Sequence, residues 1–400
     1  MSDKPIPDWH PQDPSVLHDQ RRAYDEMRER CPVAHSDFLD WSIFRHEDIV
    51  SVLSDPETYS SASKRRAVPN GMDRPEHTVY RRALEPYFDR EQMAAFEPRC
   101  RRIAADIVQA LLARDEVEFV SEFAEPFSLE TLCAFLGWPR ATWEQLSGWT
   151  HGNQQAALSR DREAGKALAL AFVGYVKEAL QVRRETGVET FDDITGSLMM
   201  TEDITARLMM TEVAGEPLSD DDIVSVLRNW TAGHGTVAAA LGILVLYLAE
   251  QQDVQQQLRG EPALLPAAID EILRADGPLV ANRRTTTREV EIGGRTIGAG
   301  EKLSLIWIAA NRDGRVFDDP DAVRFHHDHK ANIRDRGGDN LVFGAGIHDC
   351  LGAPLARLEM RVAMEELLNR TSRIELAGTQ PPSRGVYPSN GLEALKIRLS

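Results

Sequence analysis

The chain of 400 residues carries 46 basic and 63 acidic side chains, which gives a formal net charge of −17 at pH 7. An acidic surface repels nucleic acid and anionic lipid, so we expect neither as a partner. Hydrophobic residues make up 42% and charged residues 27%, which is the composition of an ordinary globular protein.

Cysteine content and the N-terminus indicate the compartment. Four cysteines in so long a chain do not form a disulfide framework, so we expect reduced thiols. The N-terminal segment is polar and contains prolines, which predicts neither a secretory signal nor a membrane anchor. The longest strongly apolar run, 237–249, is too short to cross a bilayer and is typical of a buried core helix. The sequence therefore predicts a cytoplasmic protein without membrane contact.

Helical periodicity dominates the predicted elements. In chain order, the predicted helices are 15–30, 46–53, 75–95, 95–114, 127–136, 141–158, 160–185, 222–256, 262–275 and 351–369. Strands are predicted at 40–44 and within 288–305, and irregular loops at 57–74 and 311–342. Because no change of composition marks a linker, we expect a single domain over residues 1–400.

A tandem duplication precedes the longest predicted helix. Residues 193–202 (DITGSLMMTE) are followed directly by 203–212 (DITARLMMTE), which are identical at eight of ten positions. Two copies do not make a solenoid, which needs several repeats. We interpret 193–212 as a local duplication in a surface connection, where insertions are tolerated.

The segment LVFGAGIHDCLGAPLARLEM (341–360) combines a strand-like start, a Gly-rich loop, a cysteine and a helix. Gly344 and Gly346 permit a positive φ and the close approach of a flat ligand. Cys350 stands at the start of the helix, where unpaired N–H groups and the helix dipole favour a thiolate. Such a thiolate can bind a metal or act as a nucleophile.

This segment resembles the haem-binding signature of the cytochrome P450 family, F-x-x-G-x-[HR]-x-C-x-G. The residues that match it in type and spacing are Phe343, Gly346, His348, Cys350 and Gly352. The resemblance implies that Cys350 is the axial thiolate ligand of the haem iron, and that Phe343, Gly344, His348 and Gly352 contact the haem. A buried structural cysteine would leave the spacing of the other residues unexplained. A zinc site built from Cys350, His348 and the histidines of 326–329 is a sharper alternative, but H-x-C matches zinc-ligand spacing poorly.

Upstream segments resemble the same family in the expected order. Glu271 and Arg274 are three residues apart on a predicted helix, so they share a face and can pair. The resemblance assigns them a structural role around the cysteine loop, with Arg324 as the third member. Haem also carries two propionates that need cations or hydrogen-bond donors. The predicted propionate-binding set is His77, Arg81, Arg284 and His348.

The long central helix departs from the family pattern A-G-x-[DE]-T, in which the acid and the threonine relay protons to bound dioxygen. Gly233 and Thr236 fit the pattern, whereas Gly235 stands where the acid belongs, and His234 precedes it. These four residues are the predicted catalytic group, and the two glycines predict a local bulge. Three interpretations stay open. In the first, water supplies protons through Thr236 with His234 nearby. In the second, the enzyme uses peroxide or has lost efficient oxygen activation. In the third, the segment is a variant of an otherwise typical enzyme.

The resemblance implies a mainly α fold with small β-sheets, a triangular helical prism that holds haem b. It implies a bacterial monooxygenase that inserts one atom of O2 into a lipophilic small molecule. Electrons from NAD(P)H would arrive through a separate ferredoxin or flavodoxin with its reductase, and we expect Arg357 and Arg361 to contact that donor. Two alternatives remain: a peroxygenase or isomerase that needs no reductant, and a haem-binding protein without catalytic activity, which Gly235 favours.

Overall fold

The computed structural model describes residues 7–159, 161–186, 203–325, 340–378 and 382–400. Helices form most of this part of the chain. They are α1 (Pro14–His18), α2 (Gln20–Arg30), α3 (His46–Ser54), α4 (Glu76–Leu84), α5 (Arg90–Leu111), α6 (Glu125–Leu136), α7 (Thr142–Ser159), α8 (Arg162–Thr186), α9 (Ile204–Met209), α10 (Asp220–Glu250), α11 (Gln252–Gly260), α12 (Leu265–Ala275), α13 (Trp307–Ala310) and α14 (Ala353–Arg370). Short 3-10 turns at Glu85–Phe88, Pro262–Leu264 and Gly346–His348, and a π-helical turn at Val120–Ala124, adjoin these helices.

The strands form small sheets at the edges of the helical body. They are β1 (Val33–Ser36), β2 (Asp40–Ile43), β3 (Tyr59–Ser60), β4 (Val117–Glu118), β5 (Glu212–Val213), β6 (Glu216–Pro217), β7 (Ala281–Thr286), β8 (Val290–Ile292), β9 (Arg295–Ile297), β10 (Lys302–Ile306), β11 (Ile374–Leu376), β12 (Ser383–Arg384), β13 (Leu392–Ala394) and β14 (Lys396–Leu399). The largest sheet has the order β1-β2-β10-β7-β3, and β10 runs parallel to β2 but antiparallel to β7. In this sheet Arg284 of β7 pairs with Leu303 of β10.

Helix α10 is the central element. Ser219 caps its N-terminus by accepting a hydrogen bond from the backbone N–H of Asp222, and acidic residues fill the first turn. The helix packs against α6, α12 and α14. Its length and hydropathy would allow it to cross a membrane, but 67% of its most apolar window is buried inside the protein, as in a core helix.

The predicted helix 222–256 is wrong at its C-terminal end. Helix α10 ends at Glu250, because Gln251 adopts φ −113° and ψ 74°, outside the helical region. The side-chain amide of Gln252 donates to the carbonyls of Ala249 and Ile374, both at 2.9 Å. One terminal carbonyl of α10 is thus satisfied, and α11 begins in a new direction.

The predicted helix 75–95 is also divided. Helix α4 ends at Leu84 and a 3-10 turn containing Pro86 follows, since proline lacks the N–H that a continuing helix would need. Helix α5 then starts anew, with Asp89 as its cap accepting from the backbone N–H of Gln92 at 2.8 Å. In the same way, Asp19 caps α2 and separates it from α1 within the predicted helix 15–30.

The second copy of the duplication is not a surface connection, which corrects the interpretation made from the sequence. Asp203 is fully buried, and its carboxylate accepts from the Arg183 guanidinium at 2.8 Å. The hydroxyl of Thr205 donates to the carbonyl of Leu136 at 2.7 Å, at the end of α6. Helix α9 is therefore anchored to the core by polar contacts, while the first copy, 193–202, lies outside the described residues.

Candidate active site

The loop before α14 holds Cys350 in a fixed backbone frame. Gly344 and Gly346 adopt φ values of 70° and 72°, a conformation that disfavours other residues. A Cβ on Gly346 would lie 2.5 Å from the carbonyl oxygen of Leu53, so only glycine fits there. The backbone N–H of Cys350 donates to the carbonyl of Phe343 at 2.8 Å, which closes the loop.

The predicted strand-like start of this segment is wrong. A backbone hydrogen bond from Gly344 to Leu341, 2.9 Å long, turns the chain at 341–344. The turn brings the ring of Phe343 under the guanidinium carbon of Arg357, 4.3 Å from the ring centroid. Phe343 is therefore held in place by a cation–π contact rather than by a β-ladder.

Cys350 is an exposed residue, yet its thiol has much protein around it. This crowding raises the pKa of the Cys350 thiol, while the backbone N–H of Gly352 and the charge of Arg81 act in the opposite direction. The predicted stabilisation of a thiolate by the helix start is thus present but smaller than the cost of burial. A metal ion bound to sulfur would supply the missing positive charge.

Two histidines beside the loop have donors without acceptors. The rings of His77 and His348 lie 4.2 Å apart, and the Nδ1 and Nε2 atoms of His77 and the Nε2 atom of His348 are buried without a hydrogen-bond partner. Burial, and then the nearby charges of Arg81 and Arg74, lower the pKa of His77. The pKa of His348 falls to about 3, through burial and then the proximity of His77 and Arg284.

The guanidinium of Arg284 completes this donor cluster. It donates a hydrogen bond to the carbonyl of Arg283 at 2.7 Å, and no ion pair is found for it among the described residues. Burial lowers the pKa of Arg284 despite the attraction of Asp73. Buried donors without anionic partners match the needs of carboxylates carried by a bound group.

Arg81 lies near this cluster, because its charge helps to lower the pKa of both His77 and His348. Its place in the propionate-binding set stays a prediction. Its guanidinium donates to the carbonyl of Asp349 at 2.6 Å and pairs with the Asp349 carboxylate at 2.9 Å. Arg81 makes a third contact, at 3.1 Å, with Glu85, which lies four residues further along the chain in the 3-10 turn after α4. Arg81 therefore clamps the residue next to Cys350.

The middle of α10 has one open face, whereas most of the other side chains of the helix are buried. We call this the open face and define it by the exposed or half-buried positions of the 228–239 segment that share one side of the helix. They are Arg228, Asn229, Ala232, Gly233, Gly235, Thr236 and Ala239. A Cβ on Gly233 would meet no described atom within 4 Å. The helix is continuous through both glycines, so the predicted bulge is wrong. Trp230 points elsewhere, into an aromatic cluster in which its ring lies 5.0 Å from that of Phe88.

His234 faces the protein interior rather than the open face. Its Nδ1 lies 2.9 Å from the carbonyl oxygen of Trp230, and its Nε2 lies 3.2 Å from Oε1 of Glu359 on α14. Burial lowers the pKa of His234, but the charge and hydrogen bond of Glu359 together with the Trp230 carbonyl outweigh it, so the pKa lies above its ordinary value. The structure thus groups Gly233, Gly235 and Thr236 together and separates His234 from them.

Sequence reasoning missed Glu359. It is fully buried between Leu358 and Met360, and its Oε2 atom has no hydrogen-bond partner. A glutamate flanked by apolar residues in a core-facing helix was the available signal, because buried carboxylates are rare unless they are paired.

Glu271 and Arg274 form the predicted pair. Arg274 donates to both carboxylate oxygens of Glu271, at 2.8 and 2.9 Å, and to the carbonyls of Asn311, Pro320 and Ala322. The prediction for Arg324 needs correction. Its guanidinium pairs with Asp319 at 2.8 Å, and only its backbone N–H reaches Glu271, at 3.4 Å.

The donor set and the open space fit haem better than zinc. No group of three or more His, Cys, Asp or Glu residues suited to a metal ion occurs among the described residues, and the histidines of 326–329 lie outside them. A Cβ on Gly352 would contact Phe88 only at 4.0 Å, so protein packing alone does not demand glycine there. A haem needs a thiol for its iron, hydrogen-bond donors for its propionates and open space beside glycines for its ring, and the site offers all three.

Comparisons with known proteins agree with this geometry. The sequence model of the cytochrome P450 family matches residues 154–386. The cyclomarin C epoxidase of Salinispora arenicola is 33% identical over an alignment of 375 positions, which covers 88% of this chain and 89% of that protein. The erythromycin C-12 hydroxylase of Saccharopolyspora erythraea is 32% identical over an alignment of 364 positions, which covers 87% of this chain and 86% of the relative. The structure of a mutant of P450 EryK in complex with erythromycin B superposes with a TM-score of 0.83 at 27% identity, covering 95% of this chain and 96% of that one. The chain belongs to the cytochrome P450 family and is a P450 monooxygenase that uses haem and O2.

Proposed function

We propose that this monooxygenase inserts oxygen into a lipophilic small molecule in the bacterial cytoplasm. NAD(P)H would supply the electrons through a separate ferredoxin or flavodoxin and its reductase. The observation that carries the proposal is the combination of one cysteine in a glycine-shaped loop with partnerless donors beside it. The named relatives, an epoxidase and a C-12 hydroxylase, support oxygen insertion as the reaction type.

Residues of the loop and of β7 would hold the haem. The Sγ atom of Cys350 would bind the haem iron, and His77, His348, Arg284 and Arg81 would donate to the propionates. Gly344 and Gly352 would admit the ring, with Phe343 packed beside the cysteine. When bound, the haem supplies the binding and reductive activation of O2.

Arg361 is poorly suited to receive the electron donor. Its guanidinium pairs with Glu97 at 2.6 Å and with Glu365 at 2.9 Å, so its charge is neutralised within the chain. Arg357, on the same helix, is half exposed and pairs with Asp270 at 3.1 Å. We therefore favour Arg357 over Arg361 as the contact for an acidic donor.

Proton delivery would rest on Thr236 and water. The Thr236 hydroxyl is half-buried on the open face and can pass a proton to and from water. Gly235 offers no carboxylate, and the chain has no Asp or Glu between Asp222 and Glu250. His234 would act indirectly, because its pairing with Glu359 fixes α10 against α14 rather than presenting the ring to the open face.

The missing acid supports a second candidate, a peroxide-driven oxygenase. The two functions differ in the source of the inserted atom. Purified haem-loaded enzyme would be supplied with isotopically labelled O2, NAD(P)H, a surrogate ferredoxin and its reductase, and a panel of terpenoid, polyketide and aromatic substrates. Label in the product supports the monooxygenase, whereas product formed only with added peroxide supports the alternative.

A further inference from the structure

Arg228 is the first residue of the open face of α10, which also includes Gly235 and Thr236. It lies seven residues before Gly235, two helical turns, so the two project to the same side of the helix. One guanidinium nitrogen of Arg228 donates to the carbonyl of Arg66 at 3.1 Å. No carboxylate pairs with Arg228 among the described residues, so most of its donors are uncommitted.

The acidic side chains nearest in sequence are already engaged. Asp220 pairs with Arg184, and Asp221 pairs with Lys177. Asp222 pairs with Arg66 and not with Arg228, although all three residues lie near one another. Every carboxylate in the first turn of α10 is thus neutralised by a different cation.

The loop that faces Arg228 adds further positive charge. Arg66 is itself satisfied, by Asp222 at 2.5 Å and Glu76 at 3.1 Å, but Arg65 is exposed and has no ion pair among the described residues. Partial burial lowers the pKa of Arg228, and repulsion from Arg65 adds to this effect. Both guanidinium groups therefore lack an ion pair among the described residues, and their charges repel each other.

This loop is held firmly against α10. The backbone N–H of Val68 donates to the Ser225 hydroxyl at 2.9 Å, and the Asn229 amide donates to the Val68 carbonyl at 2.9 Å. The loop that carries Arg65 is consequently held beside the helix that carries Arg228, and an anion bound there would relieve the repulsion between the two charges.

We propose that Arg228, assisted by Arg65, binds an anionic group on the substrate, so that the natural substrate is a lipophilic acid. The planar guanidinium matches the two oxygens of a carboxylate, and phosphate or sulfate shares that chemistry. This inference rests on the proposed function and narrows its substrate class. Thr236 lies eight residues further along the helix, about 12 Å at 1.5 Å per residue. The oxidised carbon would therefore be remote from the acid group.

Equilibrium dialysis of the haem-loaded enzyme tests this assignment without turnover. The probes are decanoate and 4-phenylbutanoate, each compared with its neutral amide, and decyl phosphate to separate phosphate from carboxylate recognition. We expect at least one acid to bind roughly tenfold or more tightly than its amide. Arg228→Gln is expected to bring this ratio close to one without changing amide binding, and Arg65→Gln to reduce it about twofold to fivefold.

Arg398→Gln is the matched control, because it removes the same charge from β14, where Arg398 pairs with Glu116. Arg228→Lys keeps the charge and should retain the preference for acids over amides. If the glutamine variant loses haem, this preference can still be measured in the native enzyme and in Arg228→Lys. The proposal is overturned if native enzyme binds no acid more tightly than its amide, or if Arg228→Gln weakens both alike. Failure to take up haem would instead contradict the proposed function.

Discussion

The Nε2 atom of His234 lies 3.2 Å from Oε1 of Glu359, and this contact joins the central helix to the helix that follows the cysteine loop. Both side chains are buried, and His234 is adjacent to Gly235, where the family pattern has an acid. The carboxylate that the sequence lacks on α10 is thus supplied to the same region by α14, but on the interior side of the helix.

This pair predicts a specific dependence of stability on pH. The pKa of His234 is raised in the folded protein, so its stabilising contribution is complete below the unfolded value of about 6.5 and disappears as pH rises through the folded pKa. Glu359→Gln removes the negative charge that raises the pKa of His234. We expect the unfolding free energy of the native chain, relative to this variant, to decrease as pH rises.

Denaturant titrations between about pH 5 and about pH 9 measure that difference. The matched control is Glu375→Gln, which removes an exposed carboxylate paired with Arg373 at 3.0 Å. A difference that grows with pH, or the same trend in the control, would contradict the predicted linkage.

Introducing an acid at position 235 should improve the use of electrons. A Cβ on Gly235 would contact Thr150 at 3.5 Å, an ordinary distance, so the helix can accept a side chain. With Gly235→Glu we expect a larger fraction of NAD(P)H consumed to appear as product, because the carboxylate can deliver protons. Gly235→Ala is the matched control and should leave that fraction unchanged, while stabilising the helix by up to about 1 kcal/mol. Equal behaviour of both variants would count against a proton-delivery role.

Arg274 should be essential to the stability of the haem region. Its side chain is almost fully buried and bonds to Glu271 and to main-chain carbonyls of the segment before the cysteine loop. Lysine cannot reproduce the several hydrogen bonds of the planar guanidinium, so we expect Arg274→Lys to lower the free energy of unfolding by about 3 kcal/mol or more and to retain haem poorly. Arg324→Lys should cost less than about 0.5 kcal/mol, since its ion pair with Asp319 is exposed. Thermal unfolding and haem content per chain measure both effects, and similar losses for the two variants would refute the distinction.

The glycine at position 346 should control haem uptake through loop geometry. Gly346→Ala combines a positive φ with a Cβ that would meet the Leu53 carbonyl at 2.5 Å. We expect a displaced loop and severely reduced haem content. Gly300→Ala also carries a positive φ, of 81°, but meets nothing within 4 Å, so it controls for backbone strain alone. Normal haem content in Gly346→Ala, measured by absorption, would contradict this account.

The sequence predicted features that depend on local spacing. The helices, the glycine-shaped cysteine loop and the Glu271–Arg274 pair all involve residues close in the chain, where periodicity and turn chemistry apply. It failed where contacts join distant segments. Arg81 pairs with Asp349 because α4 packs beside the cysteine loop, and His234 pairs with Glu359 because α10 packs against α14. Strand β7 was also missed, because its polar sequence lacks the alternation that identifies strands, although it carries Arg284.

The absorption spectrum of the reduced, carbon-monoxide-bound protein tests the central claim most directly, namely a bond between the Cys350 sulfur and haem iron. We predict the long-wavelength band of a haem-thiolate in the native chain and its loss in Cys350→Ser, with Cys31→Ser unchanged as the control. A native chain that binds no haem, or a Cys350→Ser variant that keeps the native spectrum, would contradict the account.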